Sequence, residues 1–128
     1  MKKILVDMSA TIIHHGHVRL LKKASKYGNV IVGLTNDKEI KKYKKIIPEI
    51  DFKFRKEILS SIKYVSKVIE APFYIDENYL KKNKISFLVH GNDNKNLIPK
   101  KKILIFKRTK SISSTNIRLK ACKNLKKK

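Results

Sequence analysis

A chain of 128 residues, 41% of them apolar, has the material for one compact core and none for a second catalytic domain. Its formal charge of +22, from 32 Lys and Arg against 10 Asp and Glu, attracts anions, yet lysine is spread over every segment without stacking aromatics between, which argues against a nucleic-acid footprint. No run of eighteen apolar residues predicts a membrane span, the N-terminal stretch lacks a small-residue cleavage site, and Cys122 is the single cysteine, so a cytoplasmic protein without a disulfide is expected.

Lys2 to Asp7 reads as a short buried strand, followed by a polar turn. Val18, Leu20, Leu21 and Ala24 then predict a helix from His17 to Tyr27, stopped by Gly28 and Asn29. Val30 to Leu34 is a second apolar run, expected as a parallel strand. A Lys-rich polar stretch, 36–45, contains Asp37 and Glu39, acids suited to a helix start. After Pro48 a helical pattern runs through Phe54, Ile58, Leu59, Ile62 and Val65. Val68 to Glu70 starts a third strand, and Asp76 to Lys82 predicts a short helix whose Asp76 and Glu77 fit the helix dipole better than a metal. Ile85 to His90 and Ile103 to Phe106 give the fourth and fifth strands, and Ser113 N-caps a last helix through Ile117 and Leu119. Residues 1–122 are expected to form one domain and 123–128 a basic, disordered tail. Strands alternating with helices predict three layers, α/β/α, around a parallel five-stranded sheet with ligands beyond the carboxyl ends of the strands. The loops after the first, fourth and fifth strands should therefore meet.

Those loops hold the unusual residues. Three of the four histidines, His14, His15 and His17, lie within four positions around Gly16 and lead straight into a helix. Imidazoles at a helix N-terminus suit a phosphate, because unpaired backbone donors and the dipole already favour negative charge there, and a glycine lets the anion approach. The spacing is poor for zinc. After the fifth strand, Arg108, Thr109, Lys110, Ser111, Ile112, Ser113, Ser114 and Thr115 combine a forked cationic donor with hydroxyls at another helix start, a second anion cradle. Tyr43 and Phe54 are read as packing residues rather than ligand contacts.

His14-His15-Gly16-His17 resembles the HxGH signature, and Arg108 through Thr115 the RTxxISTT signature, of the cytidylyltransferases, a group that acts on glycerol 3-phosphate, cholinephosphate and related acceptors. Phe54-Arg55-Lys56 and Ile62-Lys63-Tyr64-Val65 resemble that family's arginine segment and RYVDEV-like tail, and Gly91-Asn92-Asp93 its GxD. The resemblance implies a Rossmann-like nucleotidyltransferase fold and transfer of CMP from CTP to a phosphorylated small alcohol. It implies that His14, His17, Lys44 (or its neighbour Lys45) and Arg108 are catalytic. Ser9, Gly16, Gly91, Asp93, Ser113, Ser114 and Thr115 would bind nucleotide, and Thr11 and Arg55 the acceptor. Mg²⁺ would be held by the triphosphate, no protein group ligating it, and the protein would be a homodimer. Met8 and Thr11 stand where the family usually has glycine and aspartate, Asn94 where a tryptophan often follows GxD, and Lys110 and Ser111 where an acid and a glycine are usual. The rival readings are an adenylyltransferase of the same superfamily and a nucleotide-binding module without turnover.

Overall fold

The computed structural model describes residues 1–91 and 95–126. The elements follow in the order β1 (Lys3–Met8), α1 (His15–Ala24), β2 (Asn29–Thr35), α2 (Asp37–Lys44), α3 (Phe52–Ser60), β3 (Lys67–Ala71), α4 (Glu77–Lys82), β4 (Phe87–His90), a 3₁₀ turn (Lys100–Lys102), β5 (Ile103–Ile105) and α5 (Ser114–Lys126). All strand pairs are parallel and the sheet order is β3-β2-β1-β4-β5. The chain leaves β1 in one direction along the sheet and returns to its other side at β4. The crevice opened by that reversal lies beyond the carboxyl ends of these two strands.

β1 is the middle strand, and Ile4, Leu5 and Val6 are fully buried. Side chains alternate across a strand, so Ile4 and Val6 pack into one core with Leu21 and Ala24 of α1 and Leu59 of α3. Leu5 faces the other way and packs with Leu88, Ile75, Leu80 of α4 and Ile85. Two apolar layers on one sheet give the expected three-layer α/β/α arrangement with a parallel five-stranded sheet. At the opposite end of the sheet Gly28 is required by close approach: a Cβ there would stand 2.3 Å from the Lys2 carbonyl oxygen.

Several element boundaries differ from the sequence expectation for local reasons. α1 begins at His15, two residues early, because His14 itself caps it. The Lys-rich stretch is helical as α2, since the Asn36 side chain accepts the Glu39 N–H at 2.8 Å and closes the first turn. α3 ends at Ser60, and Ile62 and Val65 continue its packing through i→i+3 turns. Asp76 caps α4 by accepting the Tyr79 N–H at 2.8 Å, and Glu77 pairs with Lys102 at 2.9 Å. α5 runs through Lys126, past the position expected to begin the tail, as leucine and lysine are good helix formers and lysines suit the C-terminal end of the dipole. Tyr43 stacks on Phe73 with centroids 4.9 Å apart, and Tyr74 meets both rings edge-on. Among the described residues no helix is long and apolar enough to cross a membrane.

Candidate active site

The carboxyl ends of β1, β4 and β5 open into a cleft of about 750 Å³. Its lining includes Thr11, His14, Gly16, His17, Lys44, Gly91, Arg108, Ser113, Ser114 and Thr115, so most of the residues singled out in the sequence converge on one space. The two ends of the chain are in van der Waals reach of each other, because a Cβ placed on Gly16 would lie 3.2 Å from Cγ2 of Ile112.

The histidine loop is organised by its own hydrogen bonds. His14 is the N-cap of α1 and its Nδ1 accepts the Gly16 N–H at 3.0 Å, while the His14 N–H donates to Nδ1 of His17 at 3.1 Å. This reciprocal capping box satisfies two donors at the helix start. It also fixes both tautomers: with Nδ1 accepting, a neutral ring carries its proton on Nε2. The rings lie 4.0 Å apart between centroids. Burial, followed by the neighbouring His14, Lys44 and Arg108, pushes the His17 imidazole down to about 4, and burial with His15 lowers His14. At neutral pH both are therefore uncharged Nε2–H donors. The positive field comes instead from Arg19, Lys23, Lys44, Lys107, Arg108 and Arg118 along the walls, against Asp7 as the one carboxylate among the described lining residues.

At the second cradle, Ser113 Oγ accepts the Asn116 N–H at 3.0 Å and caps α5. Ser114 is occupied differently: its hydroxyl donates to the Ile12 carbonyl at 2.8 Å and accepts the Ile12 N–H at 3.2 Å, which ties α5 to the loop after β1. Ser111 has φ 64°, in the left-handed region where glycine costs least.

Two expected site residues, Arg55 and Ser9, are not in the cleft lining. Asp93 lies outside the described residues. Arg55, read as an acceptor ligand, is fully buried. Its guanidinium donates to the carbonyls of Ile50 (2.9 Å), Ser9 (2.5 Å) and Thr35 (3.0 Å), and to Asp37 Oδ1 at 2.5 Å. Its fork is spent on backbone oxygens at the ends of β1 and β2 and on the first residue of α2, so it braces the loop that carries the histidines. Ser9 takes part through its carbonyl in that brace.

Other lining residues were not anticipated. Asp7, one residue before the end of β1, and His90, the last residue of β4, stand side by side with Oδ2 and Nε2 3.8 Å apart; that both lie near the ends of adjacent parallel strands was the available signal. Arg118 bonds Thr11 and Glu49, and nothing in the periodicity of α5 marks it. Among the described residues no three His, Cys, Asp or Glu side chains group as metal ligands.

A family model described as cytidylyltransferase-like matches residues 9–120. The chain is 29% identical over 123 residues to glycerol-3-phosphate cytidylyltransferase of Staphylococcus aureus, covering 92% of this chain and 93% of that protein. It is 31% identical to the enzyme of the same name from Bacillus spizizenii, with 92% and 95% covered. A probable choline-phosphate cytidylyltransferase of Schizosaccharomyces pombe is 33% identical over 90% of this chain, which spans 35% of that protein's length. Among solved structures, a lipopolysaccharide core biosynthesis protein from Thermoplasma volcanium shares the fold at TM-score 0.66 and 20% identity, covering 97% of this chain and 88% of that one.

Proposed function

The chain belongs to the cytidylyltransferase-like family, and on that premise we propose that it transfers CMP from CTP to a phosphorylated small alcohol and releases pyrophosphate. One observation carries this reading: the imidazole loop and the hydroxyl-rich loop, at opposite ends of the sequence, line one cleft in which six of the seven charged side chains among the described lining residues are cationic. Such a cleft suits a triphosphate meeting a second phosphate. The acceptor is a polyol phosphate such as glycerol 3-phosphate, because the relatives bearing that name match this chain over almost their whole length.

In the proposed step a phosphate oxygen of the acceptor attacks the α-phosphorus of CTP, and the bond from that phosphorus to the bridging oxygen of the β-phosphate breaks. A phosphate monoester is already anionic at neutral pH, so no general base is needed, and positioning with charge neutralisation supplies the rate. His14 and His17 donate through Nε2–H to the triphosphate, with no change of charge during turnover. Lys44 and Arg108 add fixed positive charge. The hydroxyl of Ser113, which accepts at its cap bond, keeps its proton for a phosphate oxygen, and Thr115 and Gly91 line the nucleotide's path; Asp93 is assigned to the base pocket by resemblance only. The described lining, rich in N–H and O–H donors with Asp7 as its one carboxylate, fits a Mg²⁺ ion carried in on the triphosphate rather than held in a protein cage, where it would neutralise phosphate charge. Arg55 and Ser9 act by holding the first loop, and Thr11 stands at the acceptor end. A homodimer is part of this reading, through the resemblance.

The test is pyrophosphate release with CTP and ATP against glycerol 3-phosphate, cholinephosphate and ethanolamine phosphate. Glycerol 3-phosphate with CTP should be fastest; preference for ATP, or binding without release, would replace the proposal by an adenylyltransferase or a non-turning-over module. His17→Asn keeps an acceptor where Nδ1 stood and deletes the Nε2–H, so kcat should fall about a hundredfold or more while the fold persists. Unchanged kcat at saturating substrate would remove His17 from the mechanism.

A further inference from the structure

We propose that Arg118 is a positioning residue that latches the last helix to the first loop, so that the two phosphate cradles keep one spacing; this rests on reading the cleft as a nucleotide site. None of the 13 residues of α5 is buried, so apolar packing does little to fix this helix. What holds it is polar and falls in its first five residues. Ser114 bonds both backbone groups of Ile12. One turn later, on the same face, Arg118 Nη2 donates to Thr11 Oγ1 at 3.0 Å and to Glu49 Oε1 at 2.7 Å, and Arg118 Nε donates to Glu49 Oε2.

One guanidinium thus joins three segments: the loop after β1, the connection between α2 and α3, and α5. Thr11 is 2% exposed, a rigid anchor in the floor of the cleft. Glu49 offers a two-oxygen fork matched to the guanidinium, the geometry in which such pairs are strongest and most directional. The side chains of Arg118 and Glu49 remain 22% and 41% exposed, so water can compete for them and the latch can open. Ser113 and Thr115 flank the residue that α5 uses to grip the first loop, and His14 and His17 follow Ile12 within five residues. Lys44 ends α2, five residues before Glu49. Opening the latch therefore moves the hydroxyls, the imidazoles and the lysine apart together.

The experiment uses the full chain and compares wild type, Arg118→Ala, Glu49→Arg, and the exchanged pair Arg118→Glu with Glu49→Arg, in which Thr11 can donate to the new carboxylate. Hydrogen exchange over segments 9–14 and 114–120 should quicken about tenfold or more in both single variants, with β1 and β2 unaltered. The KM for CTP should rise about fivefold or more with a smaller change in kcat, and the exchanged pair should recover most of both effects. Helix damage unconnected with the latch would not be repaired by exchanging the charges. Unaltered exchange in Arg118→Ala, faster exchange with no change in KM, or no recovery in the exchanged pair would each overturn the proposal. If wild type neither binds nor turns over CTP, the functional reading fails by itself, and exchange with inorganic triphosphate as the probe still decides whether the two segments are coupled.

Discussion

His17 is neutral because it is buried beside other positive groups, and this has a consequence for stability. In the folded chain its imidazole is held down to about 4, against 6.5 for the ordinary value. Between those two pH values the unfolded chain takes up a proton that the folded chain refuses, so stability climbs as pH rises through that window and levels off above it. The full difference is about 3 kcal/mol at most, and His14, lowered in the same direction, steepens the slope. Urea unfolding at steps from pH 4 to pH 8 should show this rise, and His17→Asn should flatten it; an equal slope in the variant would refute the assignment. Ser111 offers a second residue-scale check. Its φ of 64° is costly for a side chain with a Cβ, so Ser111→Gly should stabilise by about 1 kcal/mol, seen as a raised thermal midpoint. Arg55 shows what a linear sequence hides at this scale. An arginine in a family-like segment reads as a phosphate ligand, but here the nearby Ile50 carbonyl, the Ser9 and Thr35 carbonyls from distant segments and Asp37 take up most of its donors, and only the folded chain brings those oxygens together.

At the scale of elements, the start of α1 and the start of α5 are a matched pair. Each is capped by its own side chain, His14 in one case and Ser113 in the other, and they meet where Gly16 faces Ile112. A Cβ on Gly16 would stand 2.8 Å from Cε1 and 2.9 Å from Nδ1 of His14, the atom that accepts the Gly16 N–H. Gly16→Ala should therefore eject the His14 ring from its cap, costing about 1 kcal/mol of stability and a much larger share of turnover. A crystal structure or nitrogen-15 spectra of the imidazoles would check it, since an unmoved His14 is incompatible with this account. The strands, and most helices, were legible in the sequence because apolar runs, caps and stops are local. Helix ends moved by a few residues where a side chain supplied an unexpected cap. The grip of α5 on the rest was not legible: Arg118 meets Glu49 and Thr11 across 69 and 107 positions, a separation at which no periodic pattern speaks.

For the whole molecule, the charge of +22 acts on any anionic substrate from a distance, while the walls of the cleft act at contact. Long-range attraction is screened by salt and contact geometry is not. Raising ionic strength from about 0.05 to 0.5 M should raise the KM for CTP about fivefold with kcat within about twofold; a KM indifferent to salt would show that the dispersed lysines are bystanders. The same distribution explains why the sequence pointed to a small anionic substrate rather than a polymer: the cations that line the cleft are a minority, gathered by the fold from α1, α2, the loop after β5 and α5.

The bond between Ile12 and Ser114 closes a loop of 102 residues. Closing so long a loop carries an entropic cost that local contacts do not, and the helix it recruits contributes no buried side chain of its own. During refolding the sheet and its two apolar layers can form before this closure is made, and on heating or in denaturant the closure is the first to go. Loss of ligand affinity then runs ahead of melting, and a sample whose circular dichroism still looks native can already be inert.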